Sequence, residues 1–360
     1  MLSATKTIVC LLIIVLLASG CTFEQKIKIM QPTMEDKIKI KNNTILIGLA
    51  GDVMLGRLVN EQISLSNYTY PWGNLLSLLQ KNDLNLINLE TTLTKSKKVV
   101  LKTFNFKADP DKVQSLVEAN ITVCNLANNH LLDFNEEGLK ETIFTLDQAN
   151  IQHVGAGTNI AEARKPVIIE EKGIKIGILG YTDNEPEWKA TENNSGINYI
   201  QVGNLEEISK EVKKLRSEVD ILILSLHWGP NMKQKPSKEF QQFAHQLIDL
   251  GVDILHGHSA HLFQGIEVYK NKIILYDTGD FVDDYYVTPE LRNDQSFFYL
   301  IELNKQRVIK IQLIPVLISN MQVNLAKGED YQQTINRVKE LSQEFGTKIV
   351  EEEKGVFVKI

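Results

Sequence analysis

The chain has 360 residues, 43% of them hydrophobic and 23% charged, with a formal net charge of −6 at pH 7. That apolar content supports one large or two smaller packed domains and excludes a wholly disordered chain. The acidic balance argues against nucleic acid as a partner, because phosphate backbones call for a basic face.

Met1 to Lys6 carries one positive charge and leads into an almost unbroken apolar run, Ile8 to Ala18. The run is too short for a membrane span, which needs about 20 residues, but has the length of a secretory signal core. It ends Leu17-Ala18-Ser19-Gly20-Cys21. Small residues before a cysteine resemble a lipobox, so residues 1–20 are expected to be a lipoprotein signal peptide, with Cys21 taking lipid. An uncleaved N-terminal helix is the competing reading. Either one anchors the remainder to the cell membrane on its extracytoplasmic face. Loss of Lys6 takes the charge to −7. Cys10 leaves with the signal and Cys21 is lipidated, so Cys124 has no partner for an intramolecular disulfide and reads as a buried small hydrophobe.

Residues 21–44 are polar and Lys-rich and read as a flexible tether. From Ile45 the chain alternates short Ile/Val/Leu runs with segments of helical period. The runs are Ile45 to Ala50, Leu84 to Leu89, Ile121 to Leu126, Ile174 to Leu179, Ile221 to Leu226 and Val252 to Leu255. The helical segments are 111–119, 136–148, 205–216 and 238–250. Such alternation predicts an α/β fold with a largely parallel sheet. After Leu262 come strand-like segments 265–269, 272–276, 297–303 and 308–315, with Asn271 in a tight hairpin-like turn. They are expected to build a second, more antiparallel sheet. Residues 45–320 are taken as the main domain and 321–360 as a helical extension, with Ile335, Val338, Leu341 and Phe345 on one helix face.

The strand ends carry the chemistry. In open α/β sheets, ligands bind beyond the carboxyl ends of the strands. Here those ends read Asp52, then Asn88-Leu89-Glu90, then Asn128-Asn129-His130 with Asp133 close behind, then His227-Trp228-Gly229, then His256-Gly257-His258-Ser259-Ala260-His261. Of seven histidines, only His153 and His245 lie elsewhere. Any one of these residues alone could be a cap, a turn or a packed core group. Their joint placement points to a centre for one or two divalent metal ions. Carboxylate, imidazole and amide oxygen suit Mn²⁺, Fe²⁺ or Zn²⁺ better than Cu⁺ or Ca²⁺. A water shared by two such ions ionises near neutral pH, which allows hydrolysis without a catalytic Ser or Cys.

These pieces resemble the CapA family, the poly-γ-glutamate capsule synthesis proteins, within the calcineurin-like metallophosphoesterase superfamily. The resemblance rests on Gly51-Asp52-Val53-Met54-Leu55-Gly56-Arg57, Asn88-Leu89-Glu90, Asn128-Asn129-His130, His227-Trp228-Gly229, Gly257-His258-Ser259-Ala260-His261 with Gln264-Gly265, and Tyr276-Asp277-Thr278-Gly279-Asp280-Phe281. It implies a four-layer α/β/β/α sandwich. It also implies Asp52 and His261 on a first ion, Glu90 as the bridge, Asn129, His227 and His258 on a second ion, and His130 as the acid that protonates the leaving group or a charge that steadies the transition state.

Three positions depart from the pattern. Met54 stands, as in CapA-like proteins, where the wider superfamily has histidine, and a thioether is a poor ligand for Mn²⁺ or Zn²⁺. Ala260 replaces a proline. Asp280 replaces an asparagine and, with Asp277, Asp283 and Asp284, reads as a solvated acidic turn. Arg57 is the candidate clamp for a carboxylate or phosphate. Lys107, Lys233, Lys235 and Arg292 are weaker candidates for an anion path. Trp228 is expected either to wall the substrate or to pack behind His227. The resemblance implies poly-γ-glutamate or a similar anionic polymer as partner, together with other capsule-synthase subunits. Three readings compete: a metal-dependent hydrolase of that polymer, a phosphoesterase, and a non-catalytic polymer-binding subunit.

Overall fold

The computed structural model describes residues 44–360. The expected signal peptide, Cys21 and all of the tether but Thr44 lie outside the described residues. Among the described residues no helix is long and apolar enough to cross a membrane.

In chain order the elements that position the site are β1 (Ile45–Val53), α1 (Arg57–Leu65), β2 (Leu84–Leu89), α2 (Val113–Glu118), β3 (Val123–Asn125), α3 (Asn135–Gln148) and β4 (Gln152–Val154). They continue with β5 (Val167–Glu171), β6 (Ile174–Thr182), α4 (Glu206–Arg216), β7 (Ile221–His227), α5 (Lys238–Asp249) and β8 (Ile254–His258). The rest are β9 (Ile266–Tyr269), β10 (Lys272–Leu275), β11 (Asp280–Val282), β12 (Gln295–Leu303), β13 (Val308–Ser319), β14 (Gln322–Leu325), α6 (Gly328–Gln343), β15 (Ile349–Glu352) and β16 (Gly355–Val358).

Two sheets result. The first runs β15-β16-β13-β12-β1-β2-β3-β4, with β11 also on β1 and β14 on β13. The second runs β9-β10-β8-β7-β6-β5. Strands β1 to β4 are mutually parallel, as are β6, β7, β8 and β10.

Three apolar clusters fill the three gaps of a four-layer α/β/β/α sandwich. Alternate residues of each strand pack between the sheets, for example Ile45, Ile47 and Leu49 against Ile176, Ile178, Ile221 and Ile223. The opposite faces receive helices. Val59, Ile63, Leu116, Leu139 and Leu146 cover the first sheet, and Ile208, Val212, Leu215, Phe243 and Leu247 the second. This is the sandwich that the resemblance implies, and near-continuous apolar runs that bury both faces of each central strand are its cause. Cys124 is buried as expected, and burial pushes its thiol far above the ordinary range, so it is no nucleophile.

Strand membership differs from expectation. The late strands do not form the second sheet by themselves. Only the β9–β10 hairpin joins it, turning at Lys270 and Asn271 with both residues at positive φ. Strands β12 and β13 instead join the first sheet, β12 antiparallel to β1 with Ile47 opposite Ile301. The stretch 321–360 also differs from a purely helical extension. Helix α6 is present, but β14, β15 and β16 extend the first sheet, and Ile335, Val338 and Leu341 bury themselves in the core between the sheets. A hairpin pattern specifies its own two strands and carries no signal for which larger sheet its edge will meet.

Candidate metal centre

The inward stripes change chemistry along their length. In β2 the inward positions read Leu84, Leu86, Asn88; in β7 Ile221, Ile223, Ser225, His227; in β8 Ile254, His256, His258. Apolar residues therefore hold the sheets together at one end, while polar ones face each other at the carboxyl end. Strand β1 reaches the same place by a register shift. Leu49 pairs with Leu86 but Asp52 with Asn88, so β1 carries one extra residue. This bulge reverses the parity of the strand end, turning Val53 outward and Asp52 inward toward the histidines. Close approach of the flanking strands needs glycine. A Cβ on Gly51 would lie 1.8 Å from the Gly279 carbonyl oxygen, and one on Gly257 would lie 2.0 Å from that of Tyr276.

Asp52 is the hub of two clusters. In one, its Oδ1 lies 3.7 Å from His227 Nδ1 and 3.6 Å from His258 Nδ1, and the two imidazole nitrogens are 3.0 Å apart. Asn129, half-buried, places Oδ1 3.0 Å from His227 Nε2. In the other, Asp52 Oδ2 lies 3.4 Å from His261 Nδ1, which is 2.8 Å from Asp280 Oδ1. The ligating atoms of Asp52, His227 and His258 lie within 4.8 Å of one another, and so do those of Asp52, His261 and Asp280. Glu90 is wholly buried nearby, with His130 Nε2 3.6 Å away.

Asp280 corrects the sequence reading. The acidic run is not a solvated turn: Asp277, Asp280 and Asp283 are buried, and Asp280 is 0% exposed. Asp277 clamps the histidine loop by accepting from Ala260 N at 2.7 Å and Gly279 N at 2.8 Å. Within that loop Ser259 and His261 both hold positive φ, a strained arrangement typical of sites under functional constraint.

The donor set fits a divalent metal. Both carboxylate oxygens of Glu90 and Oδ2 of Asp280 are buried with no hydrogen-bond partner. Burial raises the Glu90 carboxyl well above its usual range, and the Asp52 and Asp280 charges raise it further. Burial raises Asp280 too, against the pull of His261. Burial also works to raise Asp52, but hydrogen bonds and charge from the surrounding histidines outweigh it and hold that carboxyl well below the usual range. Orphaned buried carboxylate oxygens are costly, and a cation among them removes the cost. Asp280 thus stands beside Asp52 and His261, two residues of the first expected subsite.

His130 is held by a different partner. Its Nδ1 donates to Asp133 Oδ2 at 2.7 Å, and Asp133 also accepts from Phe106 N at 2.7 Å. Burial pushes His130 down to about 4, and Asp133 offsets only part of this. At neutral pH its Nε2 therefore holds a lone pair facing Glu90. Expected to be an acid, His130 must first accept a proton, after which Asp133 steadies the imidazolium. Phe106 packs edge-on to His130 with centroids 4.3 Å apart, and Tyr285 likewise to His261 at 5.1 Å.

The remaining candidates divide. Arg57 sits at the rim, its Nε 3.2 Å from Asp284 and its guanidinium 5.2 Å from the Phe106 ring centroid. Trp228 turns away from the cleft. It is buried against Phe240 and Tyr276, and its indole donates to the Tyr276 carbonyl at 2.8 Å. It packs behind His227 and does not wall the substrate. Lys107, Lys235 and Arg292 are tied to Ser96, Glu344 and Asp294 with Asp330, and Lys233 lines a cavity beside Trp228. His256 bonds to Ala50 O and Ser225 and supports the centre from behind.

Two contributors were given no role in the sequence reading. Asn88 donates to Asp52 Oδ1 at 2.7 Å and lies 3.1 Å from His227 Nδ1. Lys102 donates to the Asn129 carbonyl and lies 3.3 Å from both Asp133 and Glu185. The loop around it, Lys95 to Phe104, carries Lys95, Lys97, Lys98 and Lys102, with Leu101 fully exposed and Val99 and Phe104 largely so. Four lysines in eight residues of an acidic chain were the available signal.

A four-layer α/β/β/α sandwich with carboxylates, imidazoles and an amide gathered at facing strand ends defines the class, an α/β protein with a candidate divalent-metal centre. Residues 46–285 match the family described as bacterial capsule synthesis protein PGA_cap, and the chain belongs to that family. It is similar to a probable polyglutamine synthesis accessory protein of Mycobacterium tuberculosis, 34% identical over 83% of this chain and 84% of the relative. It is also similar to the capsule biosynthesis protein CapA of Bacillus anthracis, 32% identical over 68% of this chain and 61% of that protein, less than two thirds of its length. Among solved structures, a 5'-nucleotidase precursor from Thermus thermophilus superposes with a TM-score of 0.44 at 14% identity, covering 82% of this chain and 58% of that one.

Proposed function

We propose that this protein is a membrane-tethered, extracytoplasmic accessory factor of capsular polyglutamate synthesis whose centre hydrolyses an anionic cell-surface polymer. One observation carries the reading: a closely assembled set of ligand-type residues opens beside a lysine-bearing loop, on a chain of net charge −6. Family membership and the names of the relatives support the setting. The Leu17-Ala18-Ser19-Gly20-Cys21 pattern supports the tether.

Asp52, His227, His258 and Asn129 would hold one divalent ion, Mn, Fe or Zn, and Asp52, His261 and Glu90 the other. Bound there, such ions supply Lewis acidity and lower the pKa of a coordinated water. His130 exchanges a proton at Nε2 while Asp133 fixes its ring and tautomer. Phe106 and Tyr285 shield the two histidines from solvent. Lys95, Lys97 and Lys98 offer an acidic polymer a cationic approach, and Arg57 presents a partly exposed guanidinium at the rim.

The lysine loop also suits a subunit that binds polymer without cutting it. The deciding experiment incubates the metal-reconstituted protein with poly-γ-glutamate and with an aryl phosphate, beside His130→Ala. Polymer cleavage lost in the variant supports the hydrolase. Phosphate release alone makes it a phosphoesterase, and polymer binding without turnover makes it a binding subunit.

A further inference from the structure

Strand β11 lies parallel to β1 with Asp280 opposite Asp52 and Val282 opposite Val53. Neighbouring positions in such a ladder bring side chains on the same face together, and like charges there repel. Both carboxylates are buried, and Glu90 is a third. One imidazole, His261, stands between Asp52 and Asp280. It satisfies Oδ1 of Asp280 and leaves Oδ2 buried and unpartnered, as both oxygens of Glu90 are. His261 is thus the one imidazole within ion-pair distance of both Asp52 and Asp280. Met54, at the position where the wider superfamily has histidine, offers only a thioether.

We infer that Asp280 is a ligand of the ion bound with Asp52, Glu90 and His261, taking the part that Met54 cannot. The subsite is then three carboxylates and one imidazole, more oxygen-rich than its neighbour of two imidazoles, an amide and the shared Asp52 carboxylate. It is suited to a hard ion such as Mn²⁺. This rests on the metal-centre reading above. If Asp280 merely oriented His261, its removal would leave the number of bound ions unchanged.

The test is titration of metal-free full chain with Mn²⁺, read by bound-ion stoichiometry and by electron paramagnetic resonance, for wild type, Asp280→Asn and Asp280→Ala. Far-UV circular dichroism and retention of one ion serve as the folding control. The expected result is two ions with exchange-coupled spectra in the wild type. Asp280→Ala should keep one ion with an isolated six-line spectrum, and Asp280→Asn should bind the other more weakly. Two ions still bound by both variants, with affinity lowered only about 10- to 100-fold, is the result of a residue that merely orients His261 and overturns the assignment. Equal stoichiometry and affinity in all three proteins would overturn the assignment of Asp280. If the wild type also binds no ion, the metal centre itself falls with it.

Discussion

The His261 imidazole stands between Asp52 and Asp280, its Nδ1 3.4 Å from the first carboxylate and 2.8 Å from the second. Around this trio lie more carboxyl groups than the protein alone neutralises, and stability therefore depends on both pH and metal. Burial, reinforced by the Asp52 charge, raises the Glu90 carboxyl, and burial raises Asp280. A carboxyl raised in the folded state contributes stability that is full below its unfolded value and is lost as pH rises through the folded value. In the metal-free protein these two carboxyls therefore cost stability as pH rises, opposed by the buried histidines His130 and His256, pushed down to about 4, which add stability as pH rises to about 6.5. Bound ions reverse the carboxyl contribution by favouring the ionised carboxylates. Melting curves with chelator and with Mn²⁺ should show a gap that widens with pH, about 2.7 kcal/mol at a hundredfold excess over Kd. A gap that narrows toward pH 8 would count against a carboxylate-rich centre.

Asp133 should matter to turnover more than to metal content. Its Oδ2 fixes His130 Nδ1 and thereby presents Nε2 to the cleft. Asp133→Asn should lower kcat by about 10²- to 10⁴-fold with both ions retained. Steady-state kinetics alongside elemental analysis checks this, and loss of metal in parallel with activity would assign Asp133 a structural role instead.

His258 belongs to the Asp52–His227 cluster alone. His258→Ala should remove one ion and spare the other. Elemental analysis of the purified variant is sufficient, and unchanged metal content refutes the ligand assignment.

Gly51→Ala forces a methyl to within 1.8 Å of the Gly279 carbonyl oxygen, where the close contact is backbone that no rotamer change relieves. The expected cost is about 1–3 kcal/mol, read from chemical denaturation, with weaker metal binding because Asp52 and Asp280 flank the contact. An unperturbed midpoint would mean that β1 and β11 part easily.

Much of this protein was legible residue by residue. Apolar runs such as Ile221 to Leu226 marked strands, and the segment 238–250 marked a helix that forms over Lys238–Asp249. Polar termini marked where chemistry gathers, because local hydrophobic period and strand-end position are properties of the sequence itself. Three features were settled only by folding. The parity of Asp52 depends on a bulge measured against β2. The burial of Asp280 depends on β11 pairing with β1 from far along the chain, and a run of aspartates otherwise looks solvated. The roles of Lys102 and Trp228 follow from which side of His227 and Asn129 their chains approach. A residue's period and chemistry are local and can be read from the sequence. Only the tertiary structure decides its neighbours, because those come from strand pairings and sheet packing that no local pattern encodes.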